Sequence, residues 1–266
     1  MRQYTLFAPS SRKPPISTLA VPPGAASVAT PGATPGATPG AAPVVTFDAG
    51  QTLIDLDLDF LARRLAERGV SVAPAALSAA APAAWQRYDA QVDPAGGHPW
   101  RDLMTSLLGG AGIAAGGVPT LVDWLWDEQP RANLWRAEIP GMVALARELG
   151  ARGVRVAVLS NSEGRLAELL AEIGIADAFA AIIDSGRVGI EKPDRRIFDH
   201  TLAALGATGP GIHIGDSWPA DIAGALGAGW RAVWYGRRAV EVADPRVAIA
   251  HDVDDVRAAL AAWLDR

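Results

Sequence analysis

Asp48 closes an apolar run, Val44-Val45-Thr46-Phe47, and is followed at once by Ala49-Gly50. A carboxylate at the carboxyl end of a buried strand, entering a glycine turn, stands where open α/β sheets bind ligands. By itself it reads equally well as a turn aspartate bonded to local backbone. Three further stations follow the same plan. "VRVAVLSNSEG" ends an apolar run in Ser160-Asn161, with Glu163 and Gly164 opening a helical pattern. Hydroxyl and amide groups beside free N–H groups at a helix start form an anion site; a plain N-cap at Ser162 explains the same residues. Lys192 precedes Pro193 at the mouth of another helical pattern. Asp216 follows a strand-like run directly, Pro219 suits a first helical turn, and Asp221 lies about one turn further on.

Taken together, these stations bring carboxylate, hydroxyl, ammonium and carboxylate to one edge of one sheet. Two carboxylates there repel unless a cation sits between them, and Mg²⁺ favours a few carboxylates plus water and phosphate. A lysine and a helix start would neutralise a phosphate bound to that metal. Lys192 stands out on composition as well. The chain carries 22 arginines but two lysines, Lys13 and Lys192, and an ammonium is a compact point charge where a guanidinium is a planar fork. A solvated surface lysine is the plainer reading.

The elements that must position these groups alternate. Val44–Phe47, Val154–Leu159, Ala181–Asp184, Gly211–Ile214 and Arg231–Trp234 read as strands. Helical patterns cover Gly141–Leu149, Glu163–Ile173, Arg195–Leu205, Ala220–Leu226 and Asp254–Trp263. Such alternation predicts an α/β fold with a parallel sheet of five or more strands and right-handed crossovers. The rhythm breaks once: 61 to 135 holds helical patterns (Leu61–Arg68, Ala75–Tyr88, Trp100–Leu108, Leu121–Asp127) and no convincing strand, as a helical insertion would. Ahead of it, Asp55, Asp57 and Asp59 alternate with Ile54, Leu56, Leu58 and Phe60, the period of a strand with one wet face.

Residues 1–43 contain no acid and include "ATPGATPGATPGAAP", a repeat that buries no core. They read as a disordered arm, a transit-like segment, or the product of a start codon misplaced ahead of Val44. The remaining composition excludes classes of function. A net charge of −5 leaves no footprint for nucleic acid or an anionic membrane. No cysteine is present, so disulfides, thiolate nucleophiles and cysteine metal sites are ruled out. No stretch reads as long and apolar enough to span a bilayer, and a cytoplasmic enzyme fits. Oligomeric state leaves no trace in the sequence.

The four stations, "DAGQTL" from Asp48, the strand ending in Ser160, "EKPD" around Lys192 and "GDSWPAD" from Gly215 to Asp221, resemble the motifs of the haloacid dehalogenase-like (HAD) hydrolase superfamily. The resemblance implies a Rossmann-like core at 44–57 and 136–266, with an all-helical cap at 58–135 that excludes water over the substrate. It implies that Asp48 is the nucleophile, that Ser160 and Asn161 bind the transferring phosphate, and that Lys192 balances charge. Mg²⁺ would be held by Asp48, Asp216 and the backbone carbonyl of Gly50, with Asp221 behind Asp216 or replacing it. The implied substrate is a small phosphorylated metabolite. One position departs from the pattern. Phosphatases of the family usually carry a second aspartate at the position of Gly50, as general acid and base. Asp55 is the nearest stand-in. Carbon–halogen hydrolysis, or a turnover-poor phosphate-binding protein, are the rival readings that Gly50 opens. Trp124 and Trp126 read as cap packing, and His98 to Asp102 as a helix entry around a buried Trp100, with Arg101 a possible anion contact. His200 and His213 show no ligand-like spacing.

Overall fold

The computed structural model describes residues 42–91, 99–236 and 242–264. The expected arm lies outside these residues except for its last two positions, and His98 lies outside them too. The first strand, β1 (Val44–Phe47), is buried throughout, as an unbroken apolar run should be in the middle of a parallel sheet. A short strand, β2 (Ile54–Leu56), follows, then four helices: α1 (Leu58–Ala66), α2 (Pro74–Gln91), α3 (Trp100–Gly110) and α4 (Val118–Glu128). The strand β3 (Trp135–Glu138) returns antiparallel to β2, and these two form a separate ribbon. From there the alternation resumes through α5 (Met142–Ala151), β4 (Arg155–Ser160), α6 (Leu166–Glu172), β5 (Ala181–Asp184), α7 (Ser185–Val188), α8 (Arg195–Ala204) and β6 (Ile212–Gly215). A π-helical turn (Trp218–Ile222) leads into α9 (Ala223–Gly227), then β7 (Arg231–Tyr235), β8 (Val247–Ala250) and α10 (Val253–Leu264).

Six strands make one sheet in the order β5-β4-β1-β6-β7-β8, all parallel. Alternation along β1 divides the core. Val45 and Phe47 pack with Met142, Leu145 and Leu170 of α5 and α6, while Val44 packs with Ile197, Phe198 and Trp230 on the opposite face. The four inserted helices have a core of their own, built on Leu61, Leu65, Leu77, Leu103 and Leu107. From β1 the chain runs outward to β4 and β5, then crosses back to β6 and runs outward to β7 and β8. The crevice between the carboxyl ends of β1 and β6 is therefore the point where the strand order reverses, the usual ligand position in open α/β sheets.

Four expectations need correction. The alternation from Ile54 to Phe60 is a strand only as far as Leu56: the Asp57 carboxylate accepts the Phe60 N–H at 2.7 Å and caps α1, which pulls Asp59 into the helix. Period two and an N-cap followed by an amphipathic helix coincide over so short a stretch. The helix expected from Glu163 starts at Leu166, and Ser162 does not cap it; Asp184, on β5, accepts from the N–H groups of Gly164 and Leu166. The pattern at Ala220–Leu226 divides into the π-helical turn and α9. Finally, β3 and β8 are strands that the sequence reading does not include.

Candidate active site

Each station reaches the same sheet edge by register. Phe47 pairs with Val158 on one side and Ile214 on the other, so Asp48, Ser160 and Asp216 emerge side by side. The Asp48 N–H extends the ladder by donating to the Ile214 carbonyl at 2.8 Å. Lys192 arrives from the loop between α7 and α8, and the side chain of Asn161 holds it there. The Asn161 amide donates to the Lys192 carbonyl at 2.9 Å and accepts from the Lys192 N–H at 2.8 Å. Asn161 lines the pocket, but its amide is engaged in placing the lysine.

Lys192 is buried, and its ammonium uses all three donors. It reaches Asp48 Oδ1 at 2.6 Å, the Leu159 carbonyl at 2.8 Å and Asp221 Oδ1 at 2.5 Å. Burial by itself would lower its pKa, but the charges of Asp221 and Asp48 outweigh that and raise it. Asp221 is buried too. Burial would raise its pKa; the Lys192 charge and the hydrogen bond from His213 hold it well below the ordinary carboxylate value instead. Its second oxygen accepts the Ser217 N–H at 2.9 Å. Gly215 makes this possible, because a Cβ there would fall on the Asp221 carboxylate.

His213, on β6, contributes where spacing offered no hint. Its ring bridges Thr46 Oγ1 at 2.8 Å and Asp221 Oδ1 at 2.9 Å. Burial lowers its pKa despite the Asp221 carboxylate beside it. A histidine alone in an apolar strand was the one available signal. A buried chain, Thr46–His213–Asp221–Lys192–Asp48, thus orients the Asp48 carboxylate.

Asp216 differs from Asp221. Among the described residues no side chain donates a hydrogen bond to its carboxylate, and its pKa is raised well above the ordinary value, first by burial and then by Asp221 and Asp48. One carboxylate oxygen from each of Asp48, Asp216 and Asp221 lies within 4.8 Å of the other two. That donor set, hard oxygen with excess negative charge, fits a dication such as Mg²⁺. Since Lys192, His213 and Ser217 already occupy Asp221, Asp48 and Asp216 are the freer ligands, with Gly50 beside them on the pocket wall.

Ser160 is buried and lines the same cavity, of about 330 Å³. Gly50 has no left-handed φ; the positive value belongs to Gln51, at 56°. A Cβ at position 50 would meet nothing closer than Trp135 Cδ1 at 3.7 Å, so neither backbone nor space demands glycine there. Asp55 cannot stand in for the missing carboxylate, because it faces a different cavity with Ser78, Trp85 and Asp89. Trp100 is buried at the start of α3 as expected. Arg101 pairs with Asp123 and stacks over Trp126. Trp126 packs edge-on against Trp100 as expected, but it is also 47% exposed and lines the cavity.

A doubly wound α/β sheet with carboxylates after two neighbouring central strands and a buried lysine between them is the class the motifs implied. The model of the haloacid dehalogenase-like hydrolase family matches residues 43–229, and the chain belongs to that family. Haloacid dehalogenase-like hydrolase domain-containing protein 3 of Bos taurus is 33% identical over 133 residues, 49% of this chain and 52% of that protein. The phosphoserine phosphatase of Thermus thermophilus is 36% identical over 149 residues, 54% of this chain and 58% of that protein. The chain thus spans about half the length of these curated relatives. A putative HAD-hydrolase from Bacillus subtilis, in a crystal structure bound to magnesium, shares the fold. Its TM-score is 0.54 at 18% identity, covering 82% of this chain and 98% of that one. Among the described residues, no helix is long and apolar enough to cross a membrane.

Proposed function

We propose that the protein is a Mg²⁺-dependent phosphomonoesterase acting on a small phosphorylated metabolite, with Asp48 as nucleophile. The observation that carries this reading is the Asp48–Asp216–Asp221 oxygen cluster with Lys192 bonded to two of its members. The phosphoserine phosphatase among the relatives supports it. Lys192 fixes Asp48 Oδ1, which leaves Oδ2 to attack phosphorus. Ser160 would hydrogen-bond a phosphoryl oxygen. Asp48 and Asp216, with the Gly50 carbonyl, would hold Mg²⁺, which when bound supplies charge stabilisation to the transferring phosphoryl group. The inserted helices 58–135 would act as the cap that excludes water.

Gly50 offers no side chain to protonate the departing oxygen or to activate water on the aspartyl phosphate, the two tasks that the family's usual aspartate at this position performs. Generic aryl phosphate hydrolysis measured with and without Mg²⁺ tests the proposal; activity that ignores Mg²⁺ would refute the metal assignment. Gly50 also favours a second reading, carbon–halogen hydrolysis, in which no leaving-group acid is needed. The acidic cluster at Asp216 weighs against it, and halide release from a 2-haloacid would decide for it.

A further inference from the structure

The cavity at Asp48 has two unlike walls. One is the polar sheet edge. The other is aromatic, formed by Trp100, Trp126, Trp135 and Tyr88. Trp100 meets Trp126 edge-on at 5.3 Å and lies 6.5 Å from Trp135. Trp126 keeps 47% of its surface open, yet it is not a loose side chain. Trp100 abuts it on one side, and the Arg101 guanidinium lies over its ring at 5.2 Å. An indole held in place but left half uncovered, on the wall facing the Asp48 carboxylate, is a surface prepared for a planar partner. The same wall leaves Trp100 Nε1 and Gln129 Nε2 buried without a hydrogen-bond partner among the described residues, whereas buried donors are ordinarily paired.

We propose that this wall binds the leaving group, and that the substrates are phosphate esters of aromatic hydroxyls. The proposal rests on the phosphatase reading and narrows its substrate class. A second observation points the same way: position 50 carries no carboxylate, although a Cβ there would meet nothing closer than 3.7 Å. Without a proton donor at position 50, an ester cleaved there loses its oxygen more readily the more acidic the parent hydroxyl is. A phenol ionises near pH 10, whereas a water-like hydroxyl ionises near 15.7, so an aryl oxygen leaves without the acid that an alkyl oxygen requires. In the first step a new bond forms between Asp48 and phosphorus as the phosphorus–aryloxide bond breaks. The electron pair departs on the aryl oxygen, which takes its proton from solvent. Water then attacks the aspartyl phosphate, releasing inorganic phosphate and restoring the Asp48 carboxylate. The cavity, about 330 Å³, is of the size that small-molecule sites use.

The test is calorimetric titration of the full chain, in Mg²⁺, with phenylphosphonate and methylphosphonate, which present the same anion with and without a ring. Phenylphosphonate should bind roughly tenfold more tightly or better, the scale of one aromatic contact, and Trp126→Ala should remove most of that preference. Trp126 is half exposed, so the variant should fold, and circular dichroism checks it. In turnover, Trp126→Ala should lower the ratio of kcat/KM for phenyl phosphate over acetyl phosphate by about the same factor. Equal affinities for the two phosphonates, or a ratio unmoved by the substitution, overturn the aromatic site even if both substrates are hydrolysed. A phosphonate preference without turnover of any ester overturns the phosphatase reading and keeps the site.

Discussion

The two walls of the cavity are held in different ways. The sheet-edge wall is a cluster of charges in which Lys192, Asp48 and Asp221 satisfy one another and Asp216 stands under repulsion. Lys192 spends three donors on Asp48, Asp221 and the Leu159 carbonyl, and Asp221 is further tied to His213 and Ser217. The opposite wall is largely aromatic, anchored to the separate core of the inserted helices, and two of its buried donors have no partner among the described residues. The first wall is over-determined, so losing one member leaves a buried charge uncompensated. The second is held by packing, so its side chains can change with less consequence for the rest of the molecule. That division suits the proposed function, in which chemistry would sit on strand ends and selectivity on a unit with its own core.

Removing the proposed nucleophile should have the largest effect. Asp48→Asn, folded and Mg²⁺-loaded, is expected to lose roughly 10⁴–10⁶-fold in phosphate-ester turnover; residual activity above a few per cent would place the nucleophile elsewhere. Next in size is a gain. Gly50→Asp should accelerate alkyl phosphates by about 10²–10⁴-fold and aryl phosphates much less, because only the former wait for a proton. The backbone tolerates the change, since Gly50 is not left-handed and its Cβ finds space. Identical gains on both ester classes would show that leaving-group protonation is not what the protein lacks.

The comparison of walls sharpens further in stability. Lys192→Met strips a buried charge from two carboxylates and should cost about 3–5 kcal/mol, read from urea denaturation midpoints. Leu103→Ala, in the core of the inserted helices, should cost about 2–5 kcal/mol but reach the chemistry only through packing, with a smaller fall in kcat for phenyl phosphate than Lys192→Met shows. The reverse ranking in kcat would mean that the helices position the catalytic groups as well.

The smallest effect concerns Asp216. Its folded pKa lies above the unfolded value, so the folded chain gains a proton that the unfolded chain lacks between those two values. Ionising Asp216 as pH rises through the folded value therefore costs stability. Without metal, Asp216→Asn should raise the denaturation midpoint, more at pH 8 than at pH 5. With Mg²⁺ the order should invert, because only the wild-type chain gains from binding. A substitution that destabilises the metal-free protein at pH 8 would contradict the account of a carboxylate under repulsion.

Much of the sheet was legible beforehand for a simple reason. A buried parallel strand needs a continuous apolar run, and Val44–Phe47 and the run before Ser160 are such runs whatever surrounds them. The same locality made Asp48 and Asp216 visible, since each follows its strand directly. Sequence order likewise marked Lys192, through its rarity, and the vacancy at Gly50. What the sequence left undetermined depends on residues far apart along the chain. His213 lies 167 positions from Thr46, and Asp184 caps a helix that begins 18 positions before it; no local pattern encodes either bond. Asp57 looked like a strand residue because period two and an N-cap share the same few positions. The aromatic wall was the least legible feature of all. Trp100, Trp126 and Trp135 come from two helices and a strand, and only the packing of those elements turns separate indoles into one surface facing Asp48. Chain order determines which groups are available at a strand end, and tertiary packing decides which of them touch.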